Sequence, residues 1–291
     1  MTGAETPFWL PLLVAFCISA LTSTGGITGA FIILPFQISV LGYSAPGASA
    51  TNLLYNVIAV PLGAYRYHRE RRMQWGLAMV TGIGAMPGLV VGAYLRVNYL
   101  PDPVSFKFFA GLVLLALAIK MLIDLLRKRR QVQRTPSDLT IQGSDLTLRS
   151  IQYEFDQQRY RVPTISLALF SVLVGVIGGV YGIGGAAVLS PYLVAVYHLP
   201  VHSIAGAMLM STWITSVAGV VVYVVIGLWF SPEGSLVLPD WQLGLALGCG
   251  GLAGIYAGAW LQRWVPAGVI KVILIAGLLL IAVRYIVGFI R

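Results

Sequence analysis

Two stretches of this chain, Pro7–Leu41 and Thr164–Tyr197, each run for about 34 residues without a charged side chain. At 1.5 Å of rise per residue this is about 50 Å of helix. That is too long for one crossing of a hydrocarbon core roughly 30 Å thick and slightly short for two. Inside hydrocarbon the chain must satisfy its own backbone, so only helices or closed barrels span it. The apolar runs are continuous rather than alternating, which selects helices. With 58% hydrophobic and 10% charged residues, the chain is expected to be an all-α polytopic membrane protein. Glycine interrupts each long stretch. The first break is Gly25-Gly26-Ile27-Thr28-Gly29-Ala30, followed by Pro35; the second is Gly182-Ile183-Gly184-Gly185-Ala186-Ala187, followed by Pro191. Two short helices joined at a glycine break fit each length.

The breaks belong to an internal duplication. At an offset of 156, Gly26 meets Gly182, Gly29 meets Gly185, Pro35 meets Pro191, Gly63 meets Gly219 and Tyr67 meets Tyr223. An insertion near Trp229–Pro239 moves the offset to 166, where Trp75 meets Trp241, and Gly84, Gly88 and Gly92 meet Gly250, Gly254 and Gly258. Equivalent loops carry opposite charge: Arg66–Arg72 is strongly basic, whereas Phe230–Asp240 has no Lys or Arg. The positive-inside rule acting on opposite faces produces this pattern in inverted-topology repeats. Inversion requires an odd number of crossings per half. The expectation is two inverted repeats of about five helical segments each, with both termini outside; four parallel segments per half is the alternative. The implied layout is a first membrane repeat (1–126), a linker (127–162) and a second membrane repeat (163–291). Within the linker, alternating apolar residues around Gly143-Ser144 fit a small β-hairpin, and a disordered tether fits equally well.

Net charge is +9, and twelve of the nineteen Lys and Arg residues lie in loop 66–72 and linker 127–162. Each cluster abuts an apolar segment, so both loops are expected to be cytoplasmic. The clusters read as topology signals and lipid-headgroup contacts, not as a nucleic-acid surface. The location expected is the bacterial inner membrane. Met1–Thr6 has no basic residue and does not resemble a signal peptide. Cys17 and Cys249 fall in apolar segments and read as small buried thiols.

The glycine breaks carry the chemistry. An unwound segment frees backbone N–H groups, and the helix that follows presents its positive dipole end. Two such ends meeting at the midplane form an anion site without a fixed cation. The expected substrate-binding residues are Ser23, Thr24, Gly25, Gly26, Thr28 and Gly29 at the first break and Tyr181, Gly182, Gly184 and Gly185 at the second. Asn52 and Asn56 join them, sharing one helix face with Ser49, as do Ser211 and Thr212 in the counterpart helix, where Thr215 and Ser216 complete a set of hydroxyls. The glycines spaced four apart read as helix-packing faces. No Asp or Glu falls mid-membrane, where cation transporters and proton pumps usually keep one, so the substrate is expected to be an anion. Arg284 is the basic residue deepest in an apolar segment by sequence and is expected to snorkel. His198 and His202 have helical metal-pair spacing, but Pro200 between them favours a turn, so no metal is expected. No Walker-type motif, catalytic triad or paired carboxylate is present within the membrane segments, so neither an enzyme nor a cofactor is expected.

The duplicated motif, best seen in Gly182-Ile183-Gly184-Gly185-Ala186-Ala187-Val188-Leu189-Ser190-Pro191, resembles that of the TauE/SafE family of sulfite and organosulfonate permeases. The first copy departs from it with Thr28 where the second has Gly184. The two-half layout and the early basic loop are also similar to this family. The resemblance covers the chain apart from the linker 127–162, which is longer than typical. It implies a secondary transporter of a small sulfur anion, such as sulfite or sulfoacetate, working by alternating access around a midplane site. A permease for thiosulfate or a carboxylate, a passive anion channel and a membrane scaffold remain as alternatives. The expected partners are the anion and membrane lipids; a homodimer is left open.

Overall fold

The structure, a computed structural model, describes residues 7–22, 28–126, 140–230, 236–261 and 267–290. Five helices come first: α1 (Trp9–Thr22), α2 (Ala30–Ser39), α3 (Pro46–Arg69), α4 (Trp75–Asn98) and α5 (Pro103–Leu126). A meander follows, β1 (Ile141–Leu146), β2 (Ser150–Phe155) and β3 (Gln158–Pro163). Five more helices complete the chain: α6 (Thr164–Tyr181), α7 (Ala186–Val196), α8 (Val201–Trp229), α9 (Trp241–Leu261) and α10 (Ala267–Ile290). Among the described residues, α4, α6, α8 and most of α5 are long and apolar enough to cross a membrane. The chain is a polytopic membrane protein. Its outer surface fits that reading, since Ile165, Leu169 and Leu173 of α6 and Ile83, Val90 and Val91 of α4 are exposed. Exposed Trp75, Tyr99, Trp229 and Trp241 sit at helix ends, where interfacial aromatics belong. Cys17 and Cys249 are also exposed. They face outward and are not the buried thiols expected, because each lies off the packed stripe of its helix.

The glycines four apart make the closest seams. A Cβ at Gly84 would stand 3.3 Å from the Ala168 Cα, and one at Gly88 or Gly92 would overlap the carbonyl of Val172 or Val176. On the other side, Gly250 and Gly254 lie against the carbonyls of Leu12 and Phe16 in the same way. Thus α4 runs alongside α6 as α9 runs alongside α1. Likewise α3 packs on α9 as α8 packs on α4, while α3 with α8 and α5 with α10 form the remaining large contacts. Exchanging the halves maps every one of these pairs onto another or onto itself. Small residues permit this approach where no hydrophobic effect drives helices together in lipid.

The all-α expectation needs correcting at the linker. Residues 141–163 form a three-stranded antiparallel sheet in the order β1-β2-β3. Gly143-Ser144 is not a hairpin turn: it lies inside β1, where the register shifts between Gln142 and Asp145. The tight turn is Asp156-Gln157, with φ of 52° and 61°, joining β2 to β3 in register. Positive φ at both central residues is what a right-twisted two-residue hairpin requires. The driving pattern is Ile151, Tyr153 and Phe155, alternate residues that are all buried. They pack with Leu77, Ala78, Leu199 and Ile204. Burial pushes the Tyr153 hydroxyl up to about 12, and it shares a 3.0 Å hydrogen bond with Ser203. Gln74 caps α4 by accepting from the Gly76 N–H at 2.7 Å and donates to Ser144 Oγ at 3.0 Å. The sheet therefore rests on the α3–α4 loop and the start of α8 together.

Candidate functional site

The second glycine break is an unwound segment that only glycine allows. Gly182, Gly184 and Gly185 have φ of +81°, +72° and +82°, a left-handed conformation that costs other residues of order 1 kcal/mol or more each. A Cβ at Gly182 would also overlap the Ser49 carbonyl of α3. Gly185 caps α7, and its carbonyl accepts from the Val188 and Leu189 N–H groups at 3.1 and 2.9 Å. At the first break, Gly29 caps α2 with a right-handed φ of −67°. Its constraint is space, since a Cβ there would stand 2.9 Å from Ile18 Cγ2 and 3.2 Å from the Tyr55 hydroxyl. Thr28 is buried beside it. Ser23, Thr24, Gly25 and Gly26 lie outside the described residues.

The structure brings the two breaks together. The side-chain amide nitrogen of Asn52 donates to the Ala30 carbonyl at 2.9 Å and to the Gly182 carbonyl at 3.0 Å. One residue thus joins the start of α2 to the end of α6. Its oxygen faces the Gln37 amide at 3.4 Å. Tyr181 donates to the Phe31 carbonyl at 2.9 Å, and Ser49 to the Val180 carbonyl at 2.9 Å. Tyr55 and Ser19 share a 2.8 Å bond between α3 and α1. Asn52, Tyr181 and Ser49 staple the two halves, while Ser19–Tyr55 ties α1 to α3 within the first, and Asn52 and Tyr181 commit their donors to backbone oxygens.

A second set of polar groups has no such partners. Both ends of the Asn56 amide, Thr212 Oγ1, Ser216 Oγ and Gln37 Oε1 are buried without a hydrogen bond in the protein. An unsatisfied buried polar group costs about 1–3 kcal/mol, and native proteins retain few without a reason. Two of these residues meet the second break, and Asn56 stands level with one of them. A Cβ at Gly184 would stand 2.7 Å from Thr212 Cγ2 and 3.0 Å from Ser216 Oγ. Helices α3 and α8 run in opposite directions, with Gly63 against Leu209 and Gly219 against Leu53. Three residues on from Leu53 is Asn56, and three back from Gly219 is Ser216, so the two stand level. Ser211 and Thr215 are buried on the same helix, but Thr215 bonds its own carbonyls at Ser211 and Thr212. Ser216 stood in the hydroxyl set of α8 that the sequence offered, whereas Gln37, whose Oε1 is also unpartnered, was missed. No Asp or Glu is buried among the described residues. The chemistry on offer is neutral donors beside freed backbone.

Sequence reasoning also missed the buried cation. Arg96 is fully buried, with its guanidinium 3.6 Å over the Phe106 ring. The signal was its spacing: Gly84, Gly88, Gly92 and Arg96 continue one face at four-residue steps. That face is the packed one, so an arginine on it is buried rather than lipid-facing. Of the histidine pair, His198 lies in a turn at φ 54° and His202 in the first turn of α8.

This geometry sits in a chain with recognisable relatives. A family model described as "Sulfite exporter TauE/SafE" matches residues 11–285. The probable membrane transporter protein YdhB of Bacillus subtilis is 25% identical over 282 residues, 94% of this chain and 99% of the relative. A probable membrane transporter protein of Methanocaldococcus jannaschii is 25% identical over 221 residues, 74% of this chain and 72% of the relative. A second Bacillus subtilis protein, YunE, is 21% identical over 239 residues. No solved structure matches the chain. The match runs through both broken helices and the linker between the halves, and the chain belongs to the sulfite exporter TauE/SafE family of membrane transporters.

Proposed function

We propose that the protein is a secondary transporter of a small sulfur oxyanion, sulfite or a short sulfonate such as sulfoacetate. The observation that carries this is the set of unpartnered buried donors near the second break: Thr212 and Ser216 against Gly184, with Asn56 of α3 level with Ser216. An oxyanion accepts hydrogen bonds from every side and needs no carboxylate opposite it. Amide and hydroxyl donors next to a helix N-terminus suit it, because the dipole end adds partial positive charge. Asn52 and Tyr181 position the two breaks around that volume. The sulfur anion is drawn from the family description and from the YdhB-type relatives being transporters.

The transport cycle proposed is alternating access of two inverted halves. The exchange symmetry of the helix pairs supports it, as does the opposed direction of α3 and α8. Equivalent helices that cross head to tail are what two halves of opposite sense around one site would give. The basic loop 66–72 and the sheet would then face the cytoplasm of a bacterial cell. The test is binding of sulfite and sulfoacetate to purified protein, followed by counterflow in proteoliposomes. Binding lost in Asn56→Leu and trans-stimulated flux are the expected outcomes. Unchanged affinity in Asn56→Leu, or flux without trans-stimulation, would overturn the site or the carrier mechanism respectively.

A further inference from the structure

Two arginines are buried among the described residues, Arg72 and Arg96. In both, the Nε–H has no acceptor in the protein. They lie at opposite ends of the bundle, Arg72 in the α3–α4 loop under the sheet and Arg96 at the far end of α4. Each bonds a backbone carbonyl near the start of a long helix. Arg72 Nη2 donates to the His202 carbonyl at 3.4 Å, in the first turn of α8. Arg96 Nη2 donates to the Ser44 carbonyl at 2.7 Å, where α2 gives way to α3, and its Nη1 donates to the Leu100 carbonyl.

The surroundings match through the repeat. The Arg72 guanidinium lies 5.2 Å from the Tyr67 ring, and a Cβ at Gly206 would stand 2.7 Å from the Tyr67 Cβ and 3.2 Å from the Arg72 carbonyl. At the other end Ala93 and Val97, flanking Arg96 on its helix, cluster with Tyr223 and Ala50. Tyr67 pairs with Tyr223 and Ala50 with Gly206 at the same offset of 156. The arginines themselves are not repeat partners, because the position equivalent to Arg96 is Gln262. Two positions unrelated by the repeat thus set a guanidinium near the start of α8 at one end of the bundle and near the start of α3 at the other. The ends differ in one respect. Arg72 has a carboxylate, Glu70, at 3.0 Å, whereas Arg96 has no acidic partner among the described residues.

We propose that Arg72 and Arg96 are the two gates of the anion path. Each keeps one mouth closed by holding the chain near the start of α8 or α3. Each releases its carbonyl when a small oxyanion takes the Nε–H together with an Nη–H, the side-on fork that guanidinium offers and ammonium does not. At Arg72 the anion competes with Glu70. At Arg96 it competes with no charge, so that gate opens at lower anion concentration. This rests on the transport reading above but not on which anion is carried.

A single-cysteine reporter tests it: Thr215→Cys on a Cys17→Ala, Cys249→Ala background, labelled by a membrane-impermeant maleimide in right-side-out and inverted vesicles. Arg96→Gln should raise labelling at least fivefold from the face opposite the sheet and leave the sheet face unchanged. Arg72→Gln should do the reverse, and Arg96→Lys should give an intermediate rise. With both arginines intact, sulfoacetate should raise labelling, first from the face opposite the sheet. Equal rises from both faces, or none, would reduce the arginines to ordinary packing and overturn the proposal. A response to phosphate but not to sulfoacetate would keep the gates and overturn the sulfur-anion reading. No response to either would overturn anion release.

Discussion

The two glycine breaks are equivalent in sequence and different in how their surroundings are completed. Around the first, Ser19 meets Tyr55, Tyr181 reaches the Phe31 carbonyl and Asn52 reaches the Ala30 carbonyl. Around the second, Gly184 packs on Thr212 and Ser216, whose hydroxyls have no protein partner. Backbone conformation divides the same way. Gly29 is right-handed and needs only space, whereas Gly182, Gly184 and Gly185 are all left-handed. A duplicated element has thus become a joint on one side and an open donor surface on the other. Duplication keeps the glycine break in the sequence; backbone conformation and a few side chains decide whether it is stapled shut or left to receive a ligand.

The hardest blow to this comparison is alanine at each break. Gly182→Ala combines a left-handed φ with overlap onto the Ser49 carbonyl, and each alone costs about 1–3 kcal/mol. Folded protein recovered from membranes should fall sharply. Gly29→Ala meets side chains of Ile18, Tyr55 and Thr22 rather than backbone, at a φ that alanine adopts freely, and should cost about 1–2 kcal/mol, within the range for overpacking. Equal thermal stability of the two variants would erase the distinction.

The two asparagines give a sharper contrast, because their signs differ. Asn52→Leu strands the Ala30 and Gly182 carbonyls and should destabilise by about 2–4 kcal/mol, the cost of two buried acceptors left unmade. Asn56→Leu removes an amide that has no protein partner, so stability should hold or rise while anion affinity is lost. Thermal melts with and without sulfite separate the two. A destabilised Asn56→Leu would mean that its amide is satisfied within the fold. Thr212→Val is the gentler version: stability unchanged within about 1 kcal/mol, and anion affinity down about tenfold, the worth of one such hydrogen bond. Isothermal titration reads both.

The smallest effect lies at the mouth under the sheet. Burial raises Glu70, but Arg66 at 2.8 Å and Arg72 at 3.0 Å outweigh it and hold the carboxyl below its usual 4.5. A carboxylate depressed in the folded state contributes stability above its unfolded pKa and loses that contribution as pH falls through the lower folded value. Melting temperature should therefore drop slightly more steeply below about pH 4.5 in the parent than in Glu70→Gln. Parallel acid profiles would show that the pair adds nothing measurable, as exposed pairs often do not.

Much of this fold was legible before any coordinates. The packing role of Gly84, Gly88 and Gly92 followed from their spacing, because only small side chains allow that approach in lipid. The meander was misread at Gly143-Ser144, since glycine and serine in a strand look like a turn until a partner strand shows the bulge. The alternation of Ile151, Tyr153 and Phe155 was the better signal, being set by which face finds a core. At the site, polar residues were recognised as a group, but their division was not. Asn52 and Asn56 share one face of α3, and nothing local says that one meets two carbonyls and the other none.

By itself, then, the sequence determined what depends on composition and local period: a membrane protein, a duplication, two glycine breaks and close-packed glycine seams. These follow from apolar length, from φ limits and from spacing along one helix. Only the tertiary structure decided which polar groups are satisfied and where charge is buried. Asn52 became a staple, Asn56 with Thr212 and Ser216 became open donors, and Arg96 became a buried cation with no acid beside it among the described residues. The reason is that hydrogen-bond satisfaction and burial are pairwise and long-range. They depend on carbonyls and rings supplied from distant parts of the chain, and a side chain's role is set by the partner it meets.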